Sequence, residues 1–452
     1  MTQISQDQFN RVAAFVLDTQ PDQIPDQTLE KAQHLLLDTL GVAIAASRLE
    51  AGQIARDFTA DHHAPGANGP RAHILFDGRI ASPTGAGFAL AAQTDNLDAH
   101  DGYNLTKGHI GVAVVPALCA FGEGLSSLSG REALASLVIA YEIAGRAGRA
   151  LHDTVSDYHT SGAWNAIGVA ALGARLRSLS SGQLREAMGI AEYHGPRSQM
   201  MREIDNPTML HDGSSWGTLA GMSAVFMAER GFTGAPAITV EAEDIATYWK
   251  DLGAHWLTDE QYVKPYPICR WAHAPIDGAD ILRRRHNLDH RQIERVEVRT
   301  FHESARLFAG MPQQPSIAQY SLAFAVASML VNGMVGVDQI TGDGLRDEDV
   351  ARLVSVTHVS EHDLYNKRFP EGRWADLSLV LSDGQRLESG PLNARGGPGD
   401  QLPNSEVIGK YHAYADPVLG EGRASALKDA ILALGTDGAD FADVLRIAID
   451  PA

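Results

Sequence analysis

Cysteine is scarce in this chain of 452 residues: Cys119 and Cys269 stand alone and far apart. Without a CxxC pair, neither a cysteine-ligated zinc site nor a dithiol redox centre has its ligands, and a reducing compartment fits. Positive charge is also short. Lys and Arg number 37 against 56 acidic residues, a formal charge of −19, which leaves no basic footprint for nucleic acid or an anionic membrane. No apolar run reaches the ~18 residues of a membrane span. The opening residues, MTQISQDQFNRVAAFVL, lack a basic segment followed by an apolar one, so a soluble cytoplasmic protein is predicted. The patterns of zinc proteases, EF-hands, dinucleotide-binding folds, P-loops and nucleophile elbows are missing too, so the chemistries they carry have no support.

What is present is alanine-rich helix. DQTLEKAQHLLLDTLGVAIAAS, from Asp26 to Ser47, places Leu29, Ala32, Leu36, Leu40 and Ala43 at helical spacing after Pro25, the pattern of a buried helix. The same texture recurs in GREALASLVIAYEIAGRAGRAL, SGAWNAIGVAALGARLRSL, SGQLREAMGIAEY and SWGTLAGMSAVFMAERGFTG. Small residues at helix contacts permit close approach, so the 44 glycines do not signify disorder. Near residue 260 the period changes. IERVEVRTF and ADLSLVLSDGQRLES alternate apolar and polar residues, with SDGQ as a hairpin turn. The chain is therefore predicted to be mainly α: a large all-helical domain over 1–255, a smaller α+β domain with an antiparallel sheet over 256–395, and a helical tail over 396–452 that packs back on the first domain.

Four polar islands interrupt this apolar background: LDAHDGYNLTKGHIG at 97–111, DYHTSGAWN at 157–165, NPTMLHDGSSWG at 206–217 and VKPYPICRWAHAPID at 263–277. Each holds a histidine and lies beside a helix start, so convergence on one cleft is predicted. The fourth adds Lys264 and Arg270. Cations facing histidines and aspartates suit an anionic substrate. Removing a proton beside a carboxylate creates a carbanion that fixed positive charge must stabilise, and a neutral imidazole is poised to be the base.

HTSGAWNAIGVAALGARLRSLSSGQLREAMGIA resembles the HPTG-opened helix of the MmgE/PrpD family, which includes 2-methylcitrate dehydratase, cis-aconitate decarboxylase and iminodisuccinate epimerase. DTLGVAIAAS, the LDxxD and GH elements, LHDGSSWGTLAG, ERGFTG, KPYPICRWAH and YSLAFAVASMLVNG follow in family order over nearly the whole chain. The resemblance implies a helical domain built from both chain ends, a smaller α+β domain, a homodimer, and a cleft that needs no metal or organic cofactor. It also implies that Asp98, His109, His159 and Lys264 are catalytic, and that His211 and His273 line the substrate site, where Arg270 adds charge. Departures bear on the reaction. Thr208 stands where many members have a lysine, Gly102 or Tyr103 where a threonine is usual, Phe324 for a tyrosine, and Cys269 where the decarboxylases have a histidine. Tyr103 and Thr208 are accordingly taken as substrate-binding positions. These changes disfavour decarboxylation and place a hydro-lyase of the 2-methylcitrate dehydratase type first, with an epimerase or isomerase second and a non-catalytic ligand-binding homodimer third. Arg197, Arg202 and Arg270 are candidates to replace the lost charge.

Overall fold

A computed structural model describes residues 3–452. The chain is mainly α and divides into two compact units. The first comprises the described residues up to Met200, together with Asp212–Gln261 and Pro403–Ala452. The helix Asp26–Ala46 is buried along almost its whole length and packs against Pro83–Asp95, Gly111–Gly122 and Gly130–Thr154. Gly162–Leu176 and Ser214–Glu229 pack on those three helices and on each other. Side-chain volume sets how closely they pack. A Cβ on Gly168 would lie 2.7 Å from Ala144 Cβ and 2.9 Å from the Ala140 carbonyl, so glycine is what lets the helices Gly130–Thr154 and Gly162–Leu176 touch by their backbones. The only strands of this unit among the described residues are the short antiparallel pair β1 (Ala72–His73) and β2 (Ile80–Ala81).

The tail helix Asn404–Leu419 lies on Asp26–Ala46. Tyr411 fills the space over Gly41, and Lys410 Nζ pairs with Asp38 at 2.6 Å while also donating to the Ala99 carbonyl at 2.6 Å. Lys410 thus ties the tail helix to Asp26–Ala46 by a buried ion pair and to the turn that carries Asp98 by a hydrogen bond. No helix among the described residues is long and apolar enough to cross a membrane.

The second unit holds Met201–His211 and Tyr262–Leu402. Its sheet contains β3 (Ile293–Thr300), β4 (Thr357–Glu361), β5 (Trp374–Leu381) and β6 (Arg386–Glu388) in the order β4-β3-β5-β6, with β7 (Leu392–Asn393) also paired to β5. The β5–β6 connection is the SDGQ hairpin, with Gly384 at φ 84°. The sheet is mixed. β4 runs parallel to β3, Val296 opposite Thr357, and the other pairings are antiparallel. A parallel neighbour needs a long crossover, here the helical stretch between Phe301 and Val356 that includes Leu322–Asn332 and Glu348–Ser355.

Candidate active site

Three helices of the first unit begin close together, and each start is held by a carboxylate from another segment. The N–H of Gly111 donates to Asp101 (3.2 Å), that of Ser161, just ahead of Gly162–Leu176, to Asp212 (3.2 Å), and that of Ser214 to Asp95 (3.0 Å). Helix starts present unpaired N–H groups and a partial positive charge, so buried acids are tolerated there. Burial nevertheless pushes Asp101 up to about 6. Asp95 is raised well above the carboxylate range, first by burial and then by Asp212.

His109 sits two residues ahead of the helix Gly111–Gly122 and is fixed on all sides. Its N–H donates to Ser161 Oγ (3.0 Å), its carbonyl accepts from Asn165 Nδ2 (2.8 Å), and Ser161 Oγ donates onward to Asp212 (2.9 Å). Ring Nδ1 donates to the Asp101 carbonyl at 2.6 Å, which sets the tautomer and leaves Nε2 as the basic nitrogen. That nitrogen faces Asp212 at 3.4 Å and Asp98 at 3.8 Å. The glycines on either side of His109 in this turn owe their identity to crowding. A Cβ on Gly108 would lie 2.5 Å from Ser161 Oγ and 2.8 Å from Trp164, and one on Gly111 would collide with Asp101 and Tyr141.

His100 was not singled out in the sequence. It is fully buried, edge-on to His109 with ring centroids 4.6 Å apart, and its Nε2 lies 3.7 Å from Asp95. No recognised metal motif announces it, yet one donor atom each from Asp98, His100 and His109 falls within 4.8 Å of the others.

The remaining expected residues divide between the units. His159 is buried two positions before Ser161; its carbonyl accepts from His152 Nε2 (3.3 Å), and its strand-like segment pairs with Gln199. Tyr158 beside it donates to the Lys107 carbonyl, with Lys107 Nζ 4.5 Å from the phenol ring. The first two polar islands are thereby joined twice. Tyr103 is buried, its N–H donating to Gly108 (2.8 Å), and its hydroxyl lies beside Glu260, with burial raising its pKa.

In the second unit Lys264 is completely buried, and with Arg270 it surrounds His273 with positive charge. Burial first, then these two cations, hold His273 well below its ordinary pKa, so the ring is neutral and donates from Nε2 to the Ile268 carbonyl (2.8 Å). Arg270 donates to the Arg395 and Ala394 carbonyls (2.6 and 3.0 Å) and lies 4.3 Å over the Tyr262 ring. Those bonds anchor the 394–395 segment. His211 packs edge-on against Tyr320, whose hydroxyl is 3.4 Å from Nδ1. Thr208 is exposed and engages Glu203 through its N–H (2.7 Å) and hydroxyl (3.2 Å).

The model of the MmgE/PrpD N-terminal domain matches residues 10–247, and that of the MmgE/PrpD C-terminal domain matches residues 266–436. The chain belongs to the MmgE/PrpD family. Among its relatives, the cis-aconitate decarboxylase of Aspergillus terreus (strain NIH 2624 / FGSC A1156) is 24% identical, across 91% of this chain and 90% of its own length. The cis-aconitate decarboxylase-like protein oryM of Aspergillus oryzae is 23% identical, across 96% and 95%. Human cis-aconitate decarboxylase is 22% identical, across 88% and 85%.

Proposed function

We propose that the protein is a lyase acting on a small di- or tricarboxylate by removing a proton beside a carboxylate, most like a hydro-lyase of the 2-methylcitrate dehydratase type. The observation that carries this reading is the setting of His109: Nδ1–H on the Asp101 carbonyl, Nε2 directed to Asp98 and Asp212. An imidazole so fixed is the tautomer that accepts a proton at Nε2, and the adjacent carboxylates stabilise the imidazolium that results. In this reading Nε2 takes the α-proton, the electron pair forms the carbon–carbon double bond, and the β-hydroxyl leaves as water after protonation by His159. Lys264 supplies the charge that binds the substrate carboxylate and stabilises the enolate-like state. Metal and organic cofactors have no assigned part, and the working form is a homodimer.

A second reading is favoured by the relatives' names, namely decarboxylation of an unsaturated tricarboxylate. Thr208, Cys269 and Phe324 depart from the pattern expected for that activity, which ranks it below dehydration. One experiment separates the readings. The protein is incubated with a panel of di- and tricarboxylates in deuterated water, and deuterium entry, water loss and carbon dioxide release are followed together. Deuterium entry with an inverted centre and no lost fragment would instead indicate an epimerase. His109→Asn should abolish exchange with every substrate while leaving the fold intact. Exchange at the wild-type rate in that variant would remove His109 from the role of base.

A further inference from the structure

We propose that Asp98, His100 and His109 form a binding site for a divalent transition-metal ion of the zinc class, and that occupancy switches off the acid–base chemistry assigned above. The binding half stands on the cluster itself. The inhibitory half rests on His109 being the base.

The donor set comes first. Two imidazoles and a carboxylate suit zinc, cobalt(II) or nickel(II), whereas magnesium and calcium prefer all-oxygen shells. Bonds of about 2.0–2.2 Å to nitrogen and oxygen place tetrahedral donors roughly 3.3 Å apart. Asp98 and His109 donors lie 3.8 Å apart, and the three donors fit within 4.8 Å of one another, so small rotations of the side chains close the shell. Asp212, 3.4 Å from His109 Nε2, lies outside this group of three donors and adds negative charge beside it.

The surroundings also favour a cation. His109 already donates its other ring nitrogen to the Asp101 carbonyl, the outer hydrogen bond that orients metal-bound histidines and makes them more basic. Asp95 stands 3.7 Å from His100 Nε2, close enough for its charge to favour a cation on the ring. Asp95, Asp98 and Asp212 are all nearly inaccessible to solvent, and one divalent ion among three crowded carboxylates offsets their mutual repulsion. Within the proposed chemistry the cost is direct: a metal bonded to His109 Nε2 takes the electron pair that would accept the substrate proton.

The test uses the full-length protein after exhaustive chelation. Zinc is titrated by calorimetry and cobalt(II) by its visible absorption. Binding of one equivalent per chain at micromolar or lower concentration, unaffected by millimolar magnesium, is the expected result. His100→Asn should weaken it at least 100-fold without moving the metal-free melting temperature by more than a few degrees. If that variant does not fold, Asp98→Asn read by the same calorimetry takes its place. The chain has 18 histidines, so affinity unchanged by either substitution would identify an adventitious ion only and overturn the site. Lack of saturable binding would overturn it as well. Zinc should inhibit wild-type turnover over the same concentration range in which it binds, with His100→Asn resistant. Tight binding without inhibition would refute the switch and leave the site standing. Absence of deuterium exchange with every substrate in metal-free protein would count against the catalytic reading alone, since the calorimetry does not depend on it.

Discussion

Gly108→Ala is the smallest change that tests whether His109 depends on Ser161 for its placement. Gly108 does not have a positive φ among the described backbone, so alanine introduces no left-handed strain there. The effect is purely one of space. The new methyl would stand 2.5 Å from Ser161 Oγ and 2.8 Å from Trp164 Cζ2, roughly 1 Å inside the 3.5–4.0 Å at which such atoms attract. Trp164 has little room to retreat, because it is fully buried and its ring packs so closely on Gly148 that a Cβ there would lie 2.8 Å from it. Ser161 Oγ must therefore move, and it is the atom that accepts from His109 N–H and donates to Asp212. Losing a neutral and a charge-assisted hydrogen bond costs about 2–4 kcal/mol together, with His109 N–H left buried. Urea denaturation should show a loss of that size, and deuterium exchange should fall on the order of 100-fold as the imidazole shifts. A cycle with Ser161→Ala isolates the cause. If the methyl acts through the hydroxyl, the double variant should be hardly worse than Ser161→Ala alone. Full additivity, or wild-type exchange in Gly108→Ala, would refute the chain of contacts from Gly108 to His109.

Three other changes probe the same region. His152, which donates to the His159 carbonyl, is lowered to about 4 by burial and then by Lys107. A depressed histidine contributes stability that is present above its unfolded pKa near 6.5 and is lost as pH falls through the folded value, up to about 3 kcal/mol here; urea midpoints of His152→Gln should therefore fall less than wild type between pH 6.5 and 4, and an identical slope would be the contrary result. Lys410→Met leaves buried Asp38 without its 2.6 Å partner, at a cost on the order of 3 kcal/mol, and adding Asp38→Asn should recover most of the melting temperature. Asp212→Asn keeps an oxygen for the Ser161 donors but removes the charge facing His109 and Asp95; stability at pH 7 should hold or rise while exchange drops at least tenfold, and a stability loss above about 2 kcal/mol would show that the charge itself caps the helix.

Local patterns were legible where burial is one-sided or complete over a whole helix. The run beginning at Asp26 reads as a buried helix and forms Asp26–Ala46, because leucines and alanines at every turn have no other way to leave water. The SDGQ turn was equally plain. β4 was not, since THVSE is mostly exposed at the sheet edge and carries no apolar alternation, so its parallel pairing is a consequence of tertiary packing alone. At the candidate site, LDxxD and GH point to Asp98 and His109 by family likeness, and the structure sets them 3.8 Å apart. Asp212 escaped notice because the reading favoured His211 beside it. Positive φ at His211 (47°) and Gly213 (64°) turns the backbone sharply there, and the neighbours part: His211 packs on Tyr320 and Asp212 bonds Ser161. Asp95 carried the one usable clue, the one charged residue of an otherwise uncharged and almost wholly buried helix.

The carboxylates at the three helix starts explain why structure and chemistry are hard to separate in this unit. A buried aspartate needs donors, and the first turn of a helix has unpaired N–H groups to give. Asp101, Asp212 and Asp95 meet that need, and the same bonds fix the backbone at Gly111, Ser161 and Ser214. Asp101 does both at once, accepting from Gly111 N–H with its side chain and from His109 Nδ1 with its carbonyl. A helix start that shifted would therefore carry the imidazole with it. The converse also holds: the positive ends of these helices partly neutralise acids that lie within reach of His109, so the charge its ring experiences is set by helix placement as much as by the acids themselves. Substitutions that alter helix packing, such as a larger residue at Gly168 against Ala144, should accordingly change proton transfer at His109 without touching any group that faces it.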